Sequence, residues 1–306
     1  MTIVVFGSIN MDLVARTPSL PIAGQTITGH NFFMAPGGKG ANQAVSAARL
    51  GCVTAMVGRV GNDVFADALL DSLRENQVDV SGISVDDAVP SGVAVIAVDD
   101  NSENNIIVIP GANGEVGDLD VLRLEAYLED ADVLLLQLEV PLGAVIAAAQ
   151  AAHEREVLVV LDPAPARQLP DELYSLCNVI TPNEVEAGTL VDFSVNGIDD
   201  AKKAADKLLD RGVKNVIVKM GSTGAYWSDG AQGEFFPAHN VDPVDTVAAG
   251  DAFNGGLAVG LAEGLSIKQA IRWGMAAGAL STTKEGAQPS MPGRSEVEAL
   301  LSGGVI

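Results

Sequence analysis

A run of small residues near position 250 leads to a carboxylate that could accept a proton. Residues 245–256 are Asp-Thr-Val-Ala-Ala-Gly-Asp-Ala-Phe-Asn-Gly-Gly, and small residues before a glycine-rich helix let the backbone approach a ligand closely. Free amides at a helix N-terminus bind anions and suit the charge of a phosphoryl group in transfer. Asp251 could take a proton from an attacking hydroxyl or simply stabilise the helix start. Either role predicts a lowered pKa for this carboxyl.

A second glycine-rich segment opens another predicted helix. Residues 36–43 are Pro-Gly-Gly-Lys-Gly-Ala-Asn-Gln, which lacks the G-x-x-x-x-G-K-[ST] spacing of a Walker A loop. The chain also offers no convincing G-x-G-x-x-G after its first predicted strand, which argues against a dinucleotide site. Lys39 and Asn42 could bind a ligand, or they could be a solvated helix start.

A third segment, Gly-Ser-Ile-Asn-Met-Asp at residues 7–12, follows the first predicted strand. Asn10 and Asp12 are two positions apart, so in an extended stretch both side chains point to one face. An amide beside a carboxylate can bind vicinal hydroxyls, as a sugar requires. The same pair is also typical of an ordinary turn.

The elements that must position these residues alternate between short apolar runs and longer segments of helical period. This alternation predicts an α/β fold with a mainly parallel sheet covered by helices on both faces. The predicted strands are residues 3–6, 133–138, 157–161, 179–181 and 216–219. The predicted helices are residues 41–50, 63–76, 142–155, 199–211, 250–263 and 267–283, and Gly51 is suited to the turn that closes the first of them.

Two stretches interrupt the alternation. Residues 13–34 carry prolines and glycines among β-formers, while residues 93–98 and 106–109 flank a polar turn at residues 99–105 and predict a hairpin. The two stretches could pair as a small β-sheet over the carboxyl edge of the main sheet, where open α/β sheets bind ligands. The pattern therefore suggests a lid.

The composition narrows the classes of partner. The chain of 306 residues has 18 Lys and Arg against 40 Asp and Glu, a net charge of −22, which would repel nucleic acid and anionic membranes. We therefore expect neither as a partner. The same charge would repel ATP, so a nucleotide site needs local positive potential from helix N-termini, backbone amides, a metal ion or a few cations.

Cysteine usage favours a protein of the reducing cytoplasm, and the histidines indicate no metal site. Cys52 and Cys177 both have apolar neighbours and predict two buried thiols. The three histidines have no metal-ligand spacing. The N-terminus enters an apolar strand directly, without the features of a signal peptide, and no apolar run approaches the length of a membrane span.

Taken together, the segments near residues 40 and 250 resemble the two signatures of the ribokinase family of carbohydrate kinases. The early residues 7–12 and the late residues 284–290, Lys-Glu-Gly-Ala-Gln-Pro-Ser, resemble its ribose-specific members. The similarity in order and spacing extends from about residue 3 to residue 295. It implies a large α/β domain (residues 1–12, 36–90 and 112–306), a small β lid (residues 13–35 and 91–111), and a homodimer formed through the lid.

The resemblance also assigns roles at the sugar end of the site. It implies that Asp251 is the catalytic base and that the amides around Ala248, Ala249 and Gly250 form the anion hole. The sugar would be bound by Asn10, Met11, Asp12, Gly38, Lys39, Gly40, Ala41, Asn42, Glu139 and Asp251. Many relatives have glycine at position 248 or 249, and the alanine form resembles the ribose-specific members.

At the nucleotide end, the resemblance implies contacts from Asn183, Lys219, Met220, Gly221, Ser222, Thr223, Gly224, Gly250 and Asp251. Lys219 departs from the smaller polar residue expected at its position. Asn183 and Glu186 would position Mg²⁺ through water. A K⁺ site would use Asp245, the carbonyls of Val247, Ser281, Lys284 and Gly286, and Ser290.

The implied activity is ATP-dependent phosphorylation of D-ribose at its 5-hydroxyl, with Mg²⁺ and K⁺ as cofactors. Kinases of the same family that act on deoxyribose, another small sugar or a nucleoside are the nearest alternatives. An idle sugar-binding regulator on the same scaffold is more remote, because it has no chemical need for Asp251, the anion hole and the Asn183/Glu186 pair.

Overall fold

The computed structural model describes residues 1–101 and 103–303, which form one large and one small β-sheet. In chain order the strands are β1 (Thr2–Phe6), β2 (Asn10–Arg16), β3 (Asn31–Gly37), β4 (Val53–Gly61), β5 (Val78–Asp86), β6 (Gly92–Val98), β7 (Asn104–Ile109), β8 (Val133–Leu136), β9 (Leu158–Leu161), β10 (Val179–Ile180), β11 (Asn215–Lys219), β12 (Gly224–Ser228) and β13 (Gly233–Pro237). The α-helices are α1 (Lys39–Arg49), α2 (Ala66–Glu75), α3 (Asp118–Leu128), α4 (Leu142–Glu154), α5 (Asp171–Leu176), α6 (Glu184–Val191), α7 (Ile198–Leu209), α8 (Ala249–Ala262), α9 (Ile267–Ser281) and α10 (Arg294–Leu301).

The large sheet has nine strands in the order β13-β12-β11-β10-β9-β8-β1-β4-β5. All neighbouring strands from β11 to β5 pair in parallel, whereas β12 and β13 pair antiparallel at one edge. This confirms the predicted mainly parallel sheet and adds an antiparallel edge. The predicted strands are all present, and β4, β5, β12 and β13 complete the sheet.

Helices cover both faces of the large sheet, as the sequence predicts. Along β1, Ile3 and Val5 belong to one buried apolar cluster, while Val4 and Phe6 belong to a second cluster. Side chains alternate between faces along a strand, so a strand that is apolar at every position must be covered on both sides. The continuous apolar run at the N-terminus is therefore explained by its central place in the sheet.

The small sheet is formed by the two interrupting stretches. Its order is β3-β2-β6-β7, and the two stretches join where β2 pairs in parallel with β6, from Asn10 opposite Gly92 to Arg16 opposite Val98. The predicted hairpin is present as β6 and β7. Ser102, in its predicted turn, and residues 304–306, in the predicted large domain, lie outside the described residues.

The small sheet extends beyond the predicted lid at two places. Strand β2 begins at Asn10 and β3 ends at Gly37, so residues 10–12 and 36–37 pair within the small sheet although the predicted division assigns them to the large domain. The division itself stays a prediction. These residues form the junction between the two sheets, where β1 leads into β2 and β3 leads into α1.

Two helix N-termini lie at this junction. Helix α1 begins at Lys39 directly after β3, and its preceding residue Gly38 has φ 90°. Helix α8 begins at Ala249 after Ala248, which has φ 59°. Both helices lie on the same face of the large sheet, and they contact each other along their length. In the part of the chain that the structure describes, no helix has both the length and the apolar character of a membrane span.

Candidate active site

The carboxylate of Asp251 lies where α1 and α8 meet. Its Oδ2 accepts a hydrogen bond from Asn42 Nδ2 at 3.0 Å, and its Oδ1 accepts one from Gln43 Nε2 at 3.1 Å. The residue is only 5% exposed, but it lines a cavity of about 610 Å³ at the carboxyl edge of the sheet. The structure therefore brings together two predicted segments that are about two hundred residues apart in the chain.

The expected lowering of the Asp251 pKa is wrong. Burial raises the pKa of this carboxyl from 3.8 to about 6, although Lys39 lowers it, and the nearby Asp162 raises it further. The hydrogen bonds from Asn42 and Gln43 lower the pKa again, but they do not compensate for burial. Removal from water disfavours the ionised form more than the helix N-terminus favours it.

A polar network that the sequence analysis missed lies behind Asp251. Gln43 Nε2 also donates to Asp162 Oδ2 at 3.0 Å, and Gln43 Oε1 accepts from Gln137 Nε2 at 2.7 Å. Asp162 Oδ1 in turn accepts from Lys219 Nζ at 2.9 Å. Asp162 and Gln137 directly follow β9 and β8, and polar residues after apolar strands are the signal that could have identified them.

On one side of Asp251, polar residues cluster at the junction of the two sheets, and we call this cluster the polar crevice. Glu139 Oε2 accepts from the Lys39 amide at 3.1 Å and from Ser8 Oγ at 2.5 Å. Asn10 Oδ1 accepts from Asn113 Nδ2 at 2.7 Å. The sequence analysis did not single out Ser8 or Asn113, because each donates a hydrogen bond to a predicted residue more than a hundred positions away in the chain.

Gly38 allows the chain to pass close to this crevice. A Cβ at this position would lie 2.7 Å from the Asn10 amide nitrogen and 2.9 Å from the Ser8 carbonyl oxygen, both backbone atoms. Its φ of 90° is also unfavourable for any residue with a side chain. Glycine at this position is therefore required both by space and by backbone conformation.

The carboxylates of the crevice influence one another. Burial raises the pKa of Asp12 from 3.8 to about 7, with further contributions from the negative charges of Glu139 and Asp251. Burial would lower the pKa of Lys39, but Asp251, Asp162 and Glu139 raise it above its usual value. Lys39 is therefore a firmly charged ammonium among several carboxylates.

Not every predicted sugar residue presents a side chain to the crevice. Met11 and Ala41 are buried within the hydrophobic core. A Cβ on Gly40 would lie 2.7 Å from the Ser8 backbone nitrogen. For these three residues a contact with ligand would have to come from the backbone.

The cavity extends from Asp251 in the other direction along β11 and the start of α8. Its lining includes the predicted residues Lys39, Asn183, Glu186, Lys219, Gly221, Ser222, Gly224, Ala248, Ala249, Gly250 and Asp251. Met220 is buried in the core instead, and Thr223 lies outside the lining. His239 and Thr282 also line the cavity without having been predicted, and burial lowers the pKa of His239.

The first turn of α8 presents amides to this cavity. Within residues 1–101 and 103–303, no acceptor is found for the amides of Gly250 and Asp251, whereas the Ala249 amide donates to the Thr246 carbonyl at 3.3 Å. The predicted anion hole thus has free amides at Gly250 and Asp251, and the Ala249 amide makes only a long hydrogen bond. Backbone amides aimed at a cavity from a helix N-terminus are suited to bind an anion.

The residues predicted for metal ions form two separate groups. Asn183 and Glu186 form a capping box at the start of α6, in which Glu186 Oε2 accepts from the Asn183 amide at 2.7 Å and Oε1 accepts from Asn183 Nδ2 at 2.9 Å. Asp245 joins two loops, because its oxygens accept from the amides of Val247 and Gly286, each at 3.0 Å. Ser290 follows Gly286 a few residues later in the chain and is fully buried. Its Oγ donates a hydrogen bond to the Ala287 carbonyl at 2.7 Å.

The family model for pfkB family carbohydrate kinases matches residues 1–294. The chain belongs to this family. It is therefore a carbohydrate kinase, which confirms the predicted family and class of enzyme. The kinase is 42% identical over 300 residues to a ribokinase of Haemophilus influenzae, with 98% of each chain covered. It is 36% identical over 303 residues to a deoxyribokinase of Salmonella typhi, with 99% of each covered.

The fold agrees with this assignment. The solved structure of Arabidopsis thaliana ribokinase complexed with ribose and ATP has a TM-score of 0.90 to this kinase, with 32% identity and 98% of each chain covered. Because the match covers 98% of the chain, it includes the small sheet as well as the large one. The predicted fold class is confirmed, and the roles of individual site residues stay predictions.

The raised pKa of Asp12 predicts an effect on stability. The folded protein holds this proton more tightly than the unfolded chain, so Asp12 stabilises the fold at low pH and loses that contribution as the pH rises from about 4 to about 7. Asp12→Asn cannot titrate. The variant should therefore gain about 1–3 kcal/mol of unfolding free energy relative to the parent between pH 5 and pH 8.

Urea unfolding at the two pH values measures this difference. Asp130→Asn, at an exposed position after α3, is the matched control and should keep a constant difference from the parent. A pH-independent difference for Asp12→Asn would contradict the assignment.

Proposed function

We propose that this kinase transfers the γ-phosphoryl group of ATP to the 5-hydroxyl of D-ribose, giving ribose 5-phosphate and ADP. The observation that carries the proposal is the position of Asp251, which lies between a polar crevice and a cavity with free backbone amides. The sugar would occupy the crevice and ATP the cavity. The relatives that act on ribose and that bind ribose with ATP support this choice.

The crevice would bind the sugar through charged and polar groups. Asn10 and Asp12 are two positions apart on β2, so their side chains point to the same face and could accept and donate hydrogen bonds to vicinal hydroxyls. Glu139 and the Lys39 ammonium border the same space. Asn42, which donates to Asp251, would orient both the base and the sugar hydroxyl that it activates.

Asp251 would act as the general base. With a pKa of about 6 it is mostly ionised at neutral pH, yet its proton affinity exceeds that of an exposed carboxylate. The sugar oxygen attacks the γ-phosphorus, its proton passes to Asp251, and the bond from the γ-phosphorus to the bridging oxygen breaks to release ADP. Free amides at Gly250 and Asp251 would stabilise the charge on the phosphoryl oxygens.

The residues at the start of α6 fit a magnesium ion held through water. Burial and the charge of Asp162 raise the pKa of Glu186, so a cation beside this carboxylate would relieve an unfavourable charge. Each Glu186 oxygen accepts one bond from Asn183 and can accept another from a bound water. When held through water by Asn183 and Glu186, Mg²⁺ would neutralise part of the charge of the ATP phosphates.

We also propose activation by K⁺. The hydrogen bond that Asp245 accepts from the Gly286 amide joins the two loops whose carbonyls would bind the ion. One of these loops leads directly into the N-terminus of α8, so an ion there would stabilise the conformation of the anion hole. Equal turnover in potassium and choline salts would contradict this proposal.

A second copy of the chain would cover the outer strand of the small sheet. All four residues Ile106, Ile107, Val108 and Ile109 of β7 are exposed, as are Phe32 and Met34 of β3. Exposed apolar side chains on the two edge strands of the small sheet indicate an interaction surface, and an unpaired apolar edge strand favours pairing with another chain. We therefore propose a homodimer through the small sheet. A monomeric mass by sedimentation equilibrium would contradict it.

We further propose that the enzyme acts in the cytoplasm, where ATP is present and thiols stay reduced. Burial raises the pKa of Cys52 to about 11 and that of Cys177 to about 12. Both thiols are therefore poor nucleophiles at neutral pH, which is typical of structural cysteines. Fractionation of the source cells checks this location.

The deoxyribokinase relative makes deoxyribose the specific alternative substrate. If Asp12 accepts a hydrogen bond from a vicinal hydroxyl, a sugar without that hydroxyl leaves a buried acceptor unpaired. We expect kcat/KM for ribose to exceed that for 2-deoxyribose by at least ~10²-fold, and selectivity near ~10⁴ is within the range of such sites. ADP release measured with each sugar decides between them. Equal or better turnover of 2-deoxyribose would assign the other activity, and no turnover of any sugar would favour the idle regulator.

Asp251→Asn tests the catalytic base. The amide keeps the shape of the side chain but cannot take the proton, so turnover should fall by at least ~10²-fold while sugar and ATP affinity change little. Steady-state ADP release and calorimetric titration measure the two effects. Asp130→Asn removes the same charge at an exposed site and should behave as the parent. Unchanged turnover in Asp251→Asn would refute the role.

A further inference from the structure

Lys219 is the residue at which this chain departs from what the family resemblance implies, and its position is unusual. It is the last residue of β11, at the carboxyl edge of the large sheet. Its ammonium lies 2.9 Å from Asp162 Oδ1, and the two side chains are only 15% and 3% exposed. A positive charge is thus held almost out of water at the edge of the cavity that ATP would occupy.

The Lys219 ammonium points at the first turn of α8. Its Nζ lies 3.3 Å from the place that a Cβ on Gly250 would occupy. Gly250 carries one of the amides without an acceptor in the described chain. An anion bound by that amide would therefore lie beside the Lys219 ammonium as well.

A purely structural ion pair explains these contacts less well. Buried ion pairs contribute little net stability, because desolvation offsets their attraction. Asp162 already accepts a bond from Gln43, so it does not need Lys219 to be hydrogen-bonded. Lys219, Asp162, Gln43 and Asp251 instead form one continuous chain of bonds that ends at the proposed base.

The charge of the cavity also requires a cation at this place. Asp162, Glu186 and Asp251 line it, and the whole chain has a net charge of −22. Lys39 and Lys219 are the two lysines in its lining, and Lys39 is close to Glu139 on the sugar side. Lys219, at the end of β11, bridges to Asn183 and lies beside Gly250, on the nucleotide side.

We infer that Lys219 is a further catalytic residue, whose ammonium contacts the phosphate chain of ATP and stabilises the negative charge of the transferring γ-phosphoryl group. Asp162 is its positioning residue and directs the ammonium towards Gly250. This inference rests on the proposed function in that ATP is the ligand of the cavity. The Lys219 ammonium would be a positive charge in addition to the free amides and Mg²⁺.

Lys219→Met tests the inference, since methionine keeps most of the apolar stem without the charge. We expect kcat/KM for ATP to fall by about 10²-fold, the effect typical of losing one stabilising group of an anion hole, with KM for the sugar within about twofold. Lys219→Arg should restore part of the loss. Lys214→Met is the matched control, because this exposed lysine precedes the same strand at its opposite end.

Loss of Lys219 leaves the buried Asp162 carboxylate without its ion-pair partner, so the single variant could be unstable. The double variant Asp162→Asn/Lys219→Met removes both charges. Its melting temperature should return most of the way to that of the parent, while its turnover stays about 10²-fold below the parent's. Turnover of the double variant within about threefold of the parent would refute the inference and leave Lys219 a structural residue.

Calorimetric titration with ATP and with ADP gives a readout that needs no sugar. If Lys219 contacts the γ-phosphate, Lys219→Met should lose at least about fivefold more affinity for ATP than for ADP. Lys214→Met should keep the parent's affinity for both nucleotides. An unchanged ATP-to-ADP ratio would refute the contact. A parent that binds ATP but phosphorylates no sugar would refute the proposed function alone, because the ATP-to-ADP ratio would still test Lys219.

Discussion

The site depends on one buried carboxylate whose two oxygens are held by two amide side chains from another helix. Asn42 and Gln43 are consecutive residues of α1, and together they fix Asp251 at the start of α8. Because the carboxylate is almost out of water, its proton affinity and its orientation are both set by packing. The contact between α1 and α8 therefore brings the polar crevice and the cavity together at Asp251.

The acidic character of the chain makes the placement of its few cations decisive. Lys39 lies among several carboxylates that raise its pKa, and the Lys219 ammonium is held by an ion pair with Asp162. Backbone amides at the start of α8 add positive potential without adding a titratable group. A strongly negative protein can in this way bind a polyphosphate at one place while the rest of its surface repels anions.

The junction of the two sheets links the proposed sugar site to the small sheet. Asn10 and Asp12 pair within that sheet through β3 and β6, although they follow directly from the central strand β1 of the large sheet. Any movement of the small sheet relative to the large one would therefore change the shape of the sugar crevice. This arrangement is consistent with a lid that completes the site only when it closes over the ligand.

The sequence by itself determined the alternation of strands and helices, the hairpin of the small sheet and the segments that carry the chemistry. These features depend on neighbouring residues, through periodicity, glycine at turns and polar residues at strand ends. Only the tertiary structure decided the raised pKa of Asp251, the antiparallel edge of β12 and β13, and the network from Gln137 through Gln43 and Asp162 to Lys219. The reason is that burial and hydrogen bonding depend on residues packed from distant parts of the chain, and local sequence does not contain that information.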